Sequence, residues 1–168
     1  KIVFSIDGIG KGLEWLRFGA NWESIKNNFI ALKDIRGIQR KVNITMSALN
    51  LFMINELISW LIKNCPEYIT IGQATESYFH ENVIPTEMRG QAVEWLTQAS
   101  LTVVKSKISL DQKQNLVKNF KNIIKNLKHS EHDTTNHIYL IDYMKKLHVV
   151  KKINTEQLDP YIKKLLKI

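Results

Sequence analysis

Lys1-Ile-Val-Phe-Ser-Ile-Asp7-Gly8 opens the chain with the composition of a buried strand that ends in polar residues. The apolar run from Ile2 to Ile6 is short, and Asp7-Gly8 is a typical strand end. The segment Arg17-Phe-Gly19-Ala-Asn21-Trp22-Glu23 follows after a gap and opens an amphipathic helix. The first 23 residues therefore predict a strand, a loop and a helix, in that order.

The alternation of strand and helix continues to about residue 73. Apolar positions from Trp22 to Leu32 recur with helical spacing, and Gly37 is a candidate C-cap for that helix. The same criteria predict a strand over Val42 to Ser47, a helix over Asn55 to Asn64 ended by Pro66, and a strand over Tyr68 to Ile71. Strands separated by helices in this rhythm favour right-handed βαβ units and a parallel sheet.

After Gly72 the pattern becomes helical. Residues 73–84 predict an irregular loop, and Pro85 opens a helix at or near its first turn. Three more helices are predicted, over Leu110 to Leu127 with Ser109 and Gln112 as a capping-box candidate, Ile138 to Leu147, and Leu158 to Leu166, with a polar linker from His129 to Asn136. We expect a βαβαβ segment over residues 1–84 and an all-helical region over 85–168.

Composition excludes several classes of protein. Hydrophobic residues make up 44% of the 168 positions and charged residues 24%, as in ordinary globular domains. No apolar run is long enough to span a membrane, so no membrane role is expected. The single cysteine, Cys65, excludes internal disulfides and Cys-rich metal sites, and it fits a reducing cytoplasm. Lys1 is not an initiator methionine, which we interpret as a cut inside a larger protein.

The net charge of +8 leaves two interpretations open. The C-terminal third carries lysines at helical spacing, at positions Lys118, Lys121, Lys125, Lys128, Lys145, Lys146, Lys151 and Lys152. They form either a solvated basic face or an electrostatic surface for an acidic protein or nucleic acid. Arginine, which carries most bidentate base or phosphate recognition, occurs only four times.

Polar residues and glycines lie at or just after the end of each predicted strand. The three groups are Ser5, Asp7 and Gly8; Thr45, Ser47 and Asn50; and Thr70, Gly72 and Gln73. Ligands of parallel α/β proteins bind at the carboxyl ends of the strands, where these groups would meet. Hydroxyls, amides and one carboxylate suit a polar, nucleoside-like ligand better than acid–base chemistry. The alternative is that they are simply the polar strand ends of any α/β protein.

Two segments resemble a known enzyme family. Phe4-Ser5-Ile6-Asp7-Gly8, Trp15-Leu16-Arg17-Phe18-Gly19 and Asn21-Trp22-Glu23 are similar to the "SxDG … IRxG … W" unit of radical SAM proteins, in particular the twitch-domain-containing phage and bacterial ones. Thr45-Met-Ser47-Ala-Leu-Asn50 through Leu57-Ile-Ser-Trp60-Leu61 resembles the next unit, and Val83-Ile-Pro85 before a helix also matches. The likeness is specific only in residues 4–23 and 45–61.

The resemblance implies a fold and a cofactor. The chain would be the second half of a partial (β/α)6 TIM-type barrel, followed by a helical C-terminal region, and would supply one wall of an S-adenosylmethionine pocket and a substrate-side cap. The positions that match cofactor-binding residues are Ser5, Asp7, Arg17, Thr45, Ser47 and Asn50. Arg17 would hold the carboxylate of the cofactor, since a guanidinium pairs bidentately with one. Alternatively, Arg17 pairs with Glu14 or Glu23 on the surface.

The chain lacks the segment that carries the chemistry of that family. The CxxxCxxC motif that ligates the [4Fe–4S] cluster is absent, so the chain alone would be inactive. A missing N-terminal barrel half would come from the same parent chain or from another subunit, and the substrate, a peptide or nucleic acid among others, is open. The alternatives are a non-catalytic basic interaction module, and a non-radical α/β enzyme that uses SAM or a nucleotide.

Two weaker patterns suggest other sites. His129, His132, Asp133 and His137 form a histidine-rich stretch that could bind zinc if it folded around the metal. Gly8-Ile-Gly10-Lys-Gly12 follows a strand as phosphate-binding loops do, but it matches neither GxGxxG nor GxxxxGK[ST].

Overall fold

A three-stranded parallel sheet organises the N-terminal part of the chain. The computed structural model describes residues 1–64, 67–151 and 158–168. Its strands are β1 (Ile2–Ser5), β2 (Arg40–Met46) and β3 (Tyr68–Gln73), in the spatial order β1-β2-β3. Both pairs are parallel, so the predicted α/β class and parallel sheet are confirmed. All three strands lie within two residues of their predicted bounds.

Seven α-helices occur in the described ranges. They are α1 (Gly10–Leu16), α2 (Trp22–Ala31), α3 (Ile54–Asn64), α4 (Thr86–Lys105), α5 (Leu110–His129), α6 (Thr134–Lys151) and α7 (Pro160–Leu166). Short 3-10 turns lie at Leu32–Asp34, Leu51–Met53, Ser77–Phe79 and Glu81–Val83. Among these helices, none combines the length and apolar character that crossing a bilayer requires.

Helices α2 and α3 cover one face of the sheet. Phe4 of β1 packs edge-on against Phe29 of α2, with ring centroids 5.0 Å apart. Phe29 in turn contacts Trp60 of α3 at 5.2 Å, and Trp60 contacts Trp22 at 5.0 Å. Because neighbouring strands in register present the same face, Val42 and Ile69 lie beside Phe4 and are buried there.

The opposite face of the sheet is polar and partly exposed. Alternate residues of the strands lie on it: Val3, Ser5, Lys41, Asn43, Thr45, Tyr68 and Thr70, hereafter the open face. All of them are half-buried or exposed. The Thr70 hydroxyl bonds to the Asn43 side chain, and the Lys41 ammonium lies 5.6 Å from the centre of the Tyr68 ring. Parallel sheets usually have both faces covered, so this arrangement is unusual.

Helices α3, α4 and α5 pack side by side and continue the core into the C-terminal half. Leu57 of α3, Leu96 of α4 and Phe120 of α5 are fully buried in one cluster. Near its N-terminus, α5 also reaches the sheet, because the Gln112 amide donates to the Glu67 carbonyl at 2.6 Å. Residues 1–84 and 85–168 therefore share a continuous hydrophobic core.

Several predicted boundaries were wrong. Helix α1 occupies part of the predicted loop, and α2 ends at Ala31, whereas Gly37 lies in a turn with φ of +84°. Asn21 caps α2 by accepting from the Ser24 backbone N–H at 2.8 Å. The polar linker is shorter than predicted, since α5 extends to His129 and α6 begins at Thr134. Cys65, Pro66 and Lys152 lie outside the described residues.

The C-terminal half confirms one predicted cap. The Ser109 hydroxyl accepts from the Gln112 backbone N–H at 3.3 Å and so begins α5. A capping box would also need the Gln112 side chain to accept from the Ser109 backbone N–H. The Gln112 side-chain amide instead donates to the Glu67 carbonyl. Pro85 precedes α4 as expected, and residues 73–84 contain two 3-10 turns in place of an irregular loop.

Candidate functional site

A cleft of about 370 Å³ lies where β1 and β2 end. Five of the six predicted cofactor-binding residues line it, namely Asp7, Arg17, Thr45, Ser47 and Asn50. Its remaining walls come from α1, from Leu49, from residues 74–76 after β3, from Phe79 of the following 3-10 turn, and from α6. We call it the carboxyl-edge cleft, since parallel α/β proteins bind their ligands at this edge.

Asp7 and Arg17 form an ion pair at one side of the cleft. The Arg17 Nε donates to Asp7 Oδ2 at 2.8 Å, and a terminal nitrogen of the same guanidinium bonds to the same oxygen. Asp7 is 12% exposed and Arg17 43%, so the carboxylate is the inner partner. The alternative pairing of Arg17 with Glu14 or Glu23 is therefore wrong.

The two glutamates that were alternatives for Arg17 have other partners. Glu14 accepts from the Trp22 backbone N–H at 2.8 Å and so joins α1 to the start of α2. Glu23 pairs with Lys26 on the surface of α2, at 2.8 Å. Arg17 therefore pairs with Asp7 and lines the cleft.

Asn50 holds the ends of β1 and β2 together. Its side-chain amide donates to the Asp7 carbonyl at 2.9 Å and to the Thr45 carbonyl at 2.8 Å. Its side-chain oxygen accepts from the Ser47 backbone N–H at 2.9 Å. The other oxygen of Asp7 accepts from the Thr45 backbone N–H at 2.6 Å, which adds a second link. Asn50 is almost completely buried, so its bonds fix the shape of the cleft floor.

The structure places the other predicted strand-end residues elsewhere. Ser5 is exposed on the open face, in register with Asn43 and Thr70, and it does not belong to the cleft lining. The Thr70 hydroxyl bonds within the sheet, and the Gln73 amide donates to Glu81 at 2.7 Å. The third strand therefore contributes to the cleft through the residues that follow it, not through its last ones.

Sequence patterns missed the aromatic wall of the cleft. Phe79 and Tyr143 face each other edge-on, with ring centroids 5.7 Å apart, and Trp15 lines the cleft from α1. Glu76 adds a second carboxylate to the lining. Burial raises the pKa of the neighbouring Tyr78 hydroxyl, and the Glu76 carboxylate and Tyr143 raise it further. Nothing in the local sequence marks Tyr143, because it reaches the cleft from α6.

The glycine-rich stretch after β1 serves packing. A Cβ atom on Gly8 would lie 2.6 Å from the Met53 sulfur, and one on Gly12 would lie 2.7 Å from it. Both glycines therefore let α1 approach Met53 closely. This close packing accounts for Gly8 and Gly12, whereas Gly10 has no atom within 4 Å of its Cβ position and adopts a φ of +54°.

Two histidines of the histidine-rich stretch form hydrogen bonds within the protein. His132 Nε2 lies 3.2 Å from His137 Nδ1, and His137 Nε2 lies 2.7 Å from the Leu165 carbonyl. In the described ranges, no group of three or more His, Cys, Asp or Glu side chains is placed to hold a metal ion.

Comparisons of the chain with models of known protein families, with curated proteins and with solved structures found no match.

Proposed function

We propose that the carboxyl-edge cleft binds a polar ligand of nucleoside size, and that this ligand is S-adenosylmethionine. One observation carries the proposal: five residues matched to cofactor-binding positions, from separate parts of the sequence, line a single cleft. Its volume of about 370 Å³ falls within the range of small-molecule sites, roughly 300–1,000 Å³. The resemblance to radical SAM proteins selects SAM among nucleoside-like ligands.

The cleft residues supply complementary chemistry for such a ligand. Asp7 positions the Arg17 guanidinium, whose remaining N–H groups are donors for a ligand carboxylate. The Thr45 and Ser47 side chains bring hydroxyls to the ribose or amino-acid part. Phe79 and Tyr143 offer apolar ring surfaces to a base. In this proposal the chain binds and orients the cofactor.

The wider proposal is that the chain is the second half of a partial barrel in a radical SAM enzyme. The strands lie in sequential order, α2 and α3 cover one face, and the open face and the edge of β1 remain for a missing barrel half. An iron–sulfur cluster does not fit this chain, which has one cysteine and, in its described part, no group of metal ligands. The cluster would be held by the parent protein's other half.

The binding proposal is tested by titrating the chain with SAM, S-adenosylhomocysteine and adenosine in a calorimeter. Ser47→Leu fills the cleft, and Ser59→Leu is the matched control because Ser59 is exposed on α3. We expect saturable binding that Ser47→Leu weakens at least about tenfold, which corresponds to 1.4 kcal/mol. Absence of binding to the unmodified chain, or an equal loss in Ser59→Leu, would overturn the proposal.

The enzymatic part is tested on the natural protein, purified without oxygen. An intact mass above the 19.6 kDa of this chain, with about four irons per chain, is expected of a radical SAM enzyme. A mass of 19.6 kDa with no iron contradicts it. If SAM binds but iron is absent, the non-radical α/β enzyme becomes the better proposal.

A second candidate function rests on the lysines of α5. Lys118, Lys121, Lys125 and Lys128 are all exposed and, at spacings of three and four, form one stripe. Such a stripe suits a polyanion. Binding to a single-stranded oligonucleotide should weaken steeply with salt, and Lys121→Glu with Lys125→Glu should reduce it. Lys33→Glu, at an exposed position far along the sequence, is the control.

A further inference from the structure

Glu81 is a buried carboxylate outside the carboxyl-edge cleft. It lies in the 3-10 turn between β3 and α4 and is only 6% exposed. Its Oε2 accepts from Gln73 Nε2 at 2.7 Å, and its Oε1 accepts from Asn126 Nδ2 at 2.7 Å. Both partners are neutral amides, so they orient the carboxylate without compensating its charge. Carboxylates are rarely buried to this degree unless they are paired with a cation.

The carboxylate lines a cavity of about 130 Å³ between β3 and α5. Asn119, Asn122 and Asn126 line the same cavity from one side of α5, since spacings of three and four place residues on one helix face. It shares no lining residue with the carboxyl-edge cleft. Residues around it include the exposed Gly72 and Gln73, so a ligand can reach it from solvent.

The amides around Glu81 leave their carbonyl oxygens available as acceptors. Because a carboxylate only accepts hydrogen bonds, Gln73 and Asn126 turn their NH2 groups toward it. The Asn119 NH2 donates to the Asn115 carbonyl at 3.1 Å, which leaves a third side-chain oxygen. The residues that line the cavity therefore carry one carboxylate and three amide oxygens that can accept hydrogen bonds.

We propose that this cavity binds a primary ammonium group, carried either by a small amine or by a lysine side chain of a partner. An ammonium has three donors and no acceptor, which matches a carboxylate with surrounding amide oxygens. At about 30 Å³ for each water, the cavity has room for a small group of a few heavy atoms. A single carboxylate is a poor set of ligands for a divalent metal, which prefers several. This site does not depend on SAM binding.

Methylammonium chloride is the probe for the test, titrated into the 15N-labelled protein. The side-chain NH2 signals of Gln73 and Asn126 are expected to shift and saturate, with millimolar affinity because the ligand is so small. Tetramethylammonium chloride, which has no N–H donor, and sodium chloride serve as controls at equal ionic strength. Equal shifts with either control salt, or no saturation with methylammonium, would overturn the proposal.

Three variants make the test specific. Glu81→Gln removes the charge, and Asn119→Leu fills the cavity without changing the carboxylate; both are expected to abolish the saturable shift. If Glu81→Gln fails to fold, Asn119→Leu still decides. Glu94→Gln is the matched control, because Glu94 is an exposed carboxylate on α4. Retention of methylammonium binding in folded Asn119→Leu contradicts the site.

The source of the ammonium group is identified with a short peptide that contains one lysine. Binding of the peptide that is lost when this lysine is acetylated assigns the site to a partner's lysine, since acetylation removes the charge. Binding of methylammonium alone assigns it to a small amine.

Discussion

At the scale of single residues, three of the four arginines make hydrogen bonds to other groups of the described chain. Arg17 pairs with Asp7 at the cleft. Arg40 is buried and donates to the Phe29 carbonyl at 3.0 Å and to the Asn64 carbonyl at 3.1 Å, near the ends of α2 and α3. Helix ends leave carbonyls without intrahelical partners, and a buried guanidinium with five donors satisfies several at once.

Arg89 also donates to backbone carbonyl groups, and its replacement gives a prediction about stability. It is 8% exposed and donates to the carbonyls of Asn82, Ile84, Leu127, Ser130 and Glu131. Arg89→Met should destabilise the protein by at least about 3 kcal/mol, because each buried acceptor left without a donor costs about 1–3 kcal/mol. Urea denaturation measures the loss.

Arg36→Met is the matched control for Arg89→Met. Arg36 is exposed in the turn before β2, so its replacement should change the free energy of unfolding by less than about 0.5 kcal/mol. Similar midpoints for Arg89→Met and the unmodified protein would show that the five carbonyl bonds add little to stability.

The position of a residue at the end of a strand explains which site residues could be predicted from sequence. Asp7 follows β1 and Thr45 lies near the end of β2, and parallel strands bring such residues to one edge. Ser5 also lies on the open face, but it is in register with Asn43, two residues before Thr45, and so does not reach the carboxyl edge. Tyr143 could not be predicted, since its place in the cleft depends on how α6 packs against the rest of the chain.

At the scale of elements, α1 shows where local patterns fail. Gly10 and Gly12 lower helix propensity, so the sequence predicted a loop over residues that form a helix. The helix is favoured by tertiary packing, since Leu13 is fully buried and Gly12 lies against Met53. Long periodic segments such as α5 were predicted well because their burial pattern is in the sequence itself.

The contact between α6 and α7 gives a prediction about pH. His137 of α6 is 2% exposed, and its Nε2–H donates to the Leu165 carbonyl of α7. Its Nδ1 then accepts from His132 Nε2. Burial lowers the pKa of His137; the bond to Leu165 and the Glu87 carboxylate oppose this, and His132 and Lys167 add to it. The neutral ring is therefore the form that the fold holds.

Stability should consequently fall on acidification. Below the ordinary histidine pKa of about 6.5, the unfolded chain takes up a proton that folded His137 resists, so the free energy of unfolding decreases as pH falls. Urea midpoints between about pH 7.5 and 5.5 measure it. His137→Gln should flatten the dependence, whereas His129→Gln, at an exposed position, should preserve it. An unchanged slope in His137→Gln contradicts this role.

At the scale of the whole molecule, the chain is asymmetric. Helices cover one face of the sheet, the open face is polar, and β1 lies at an edge. In the described sheet β1 pairs only with β2, so its outer edge has no strand partner. The sequence did not predict that α5 would reach β3 at the other side, since that contact depends on the long-range bond between Gln112 and Glu67.

The exposed edge predicts self-association of the 168-residue chain at high concentration. Val3 is 50% exposed on β1, where unpaired strand edges invite pairing with another chain. Val3→Lys should reduce this association, measured by light scattering over a concentration series, because an edge lysine opposes strand pairing. Its effect on the free energy of unfolding should stay within about 0.5 kcal/mol.

Val104→Lys, on α4 and 54% exposed, adds the same charge away from the sheet and should leave association unchanged. An equal reduction in both variants would assign the effect to net charge and not to the edge of β1.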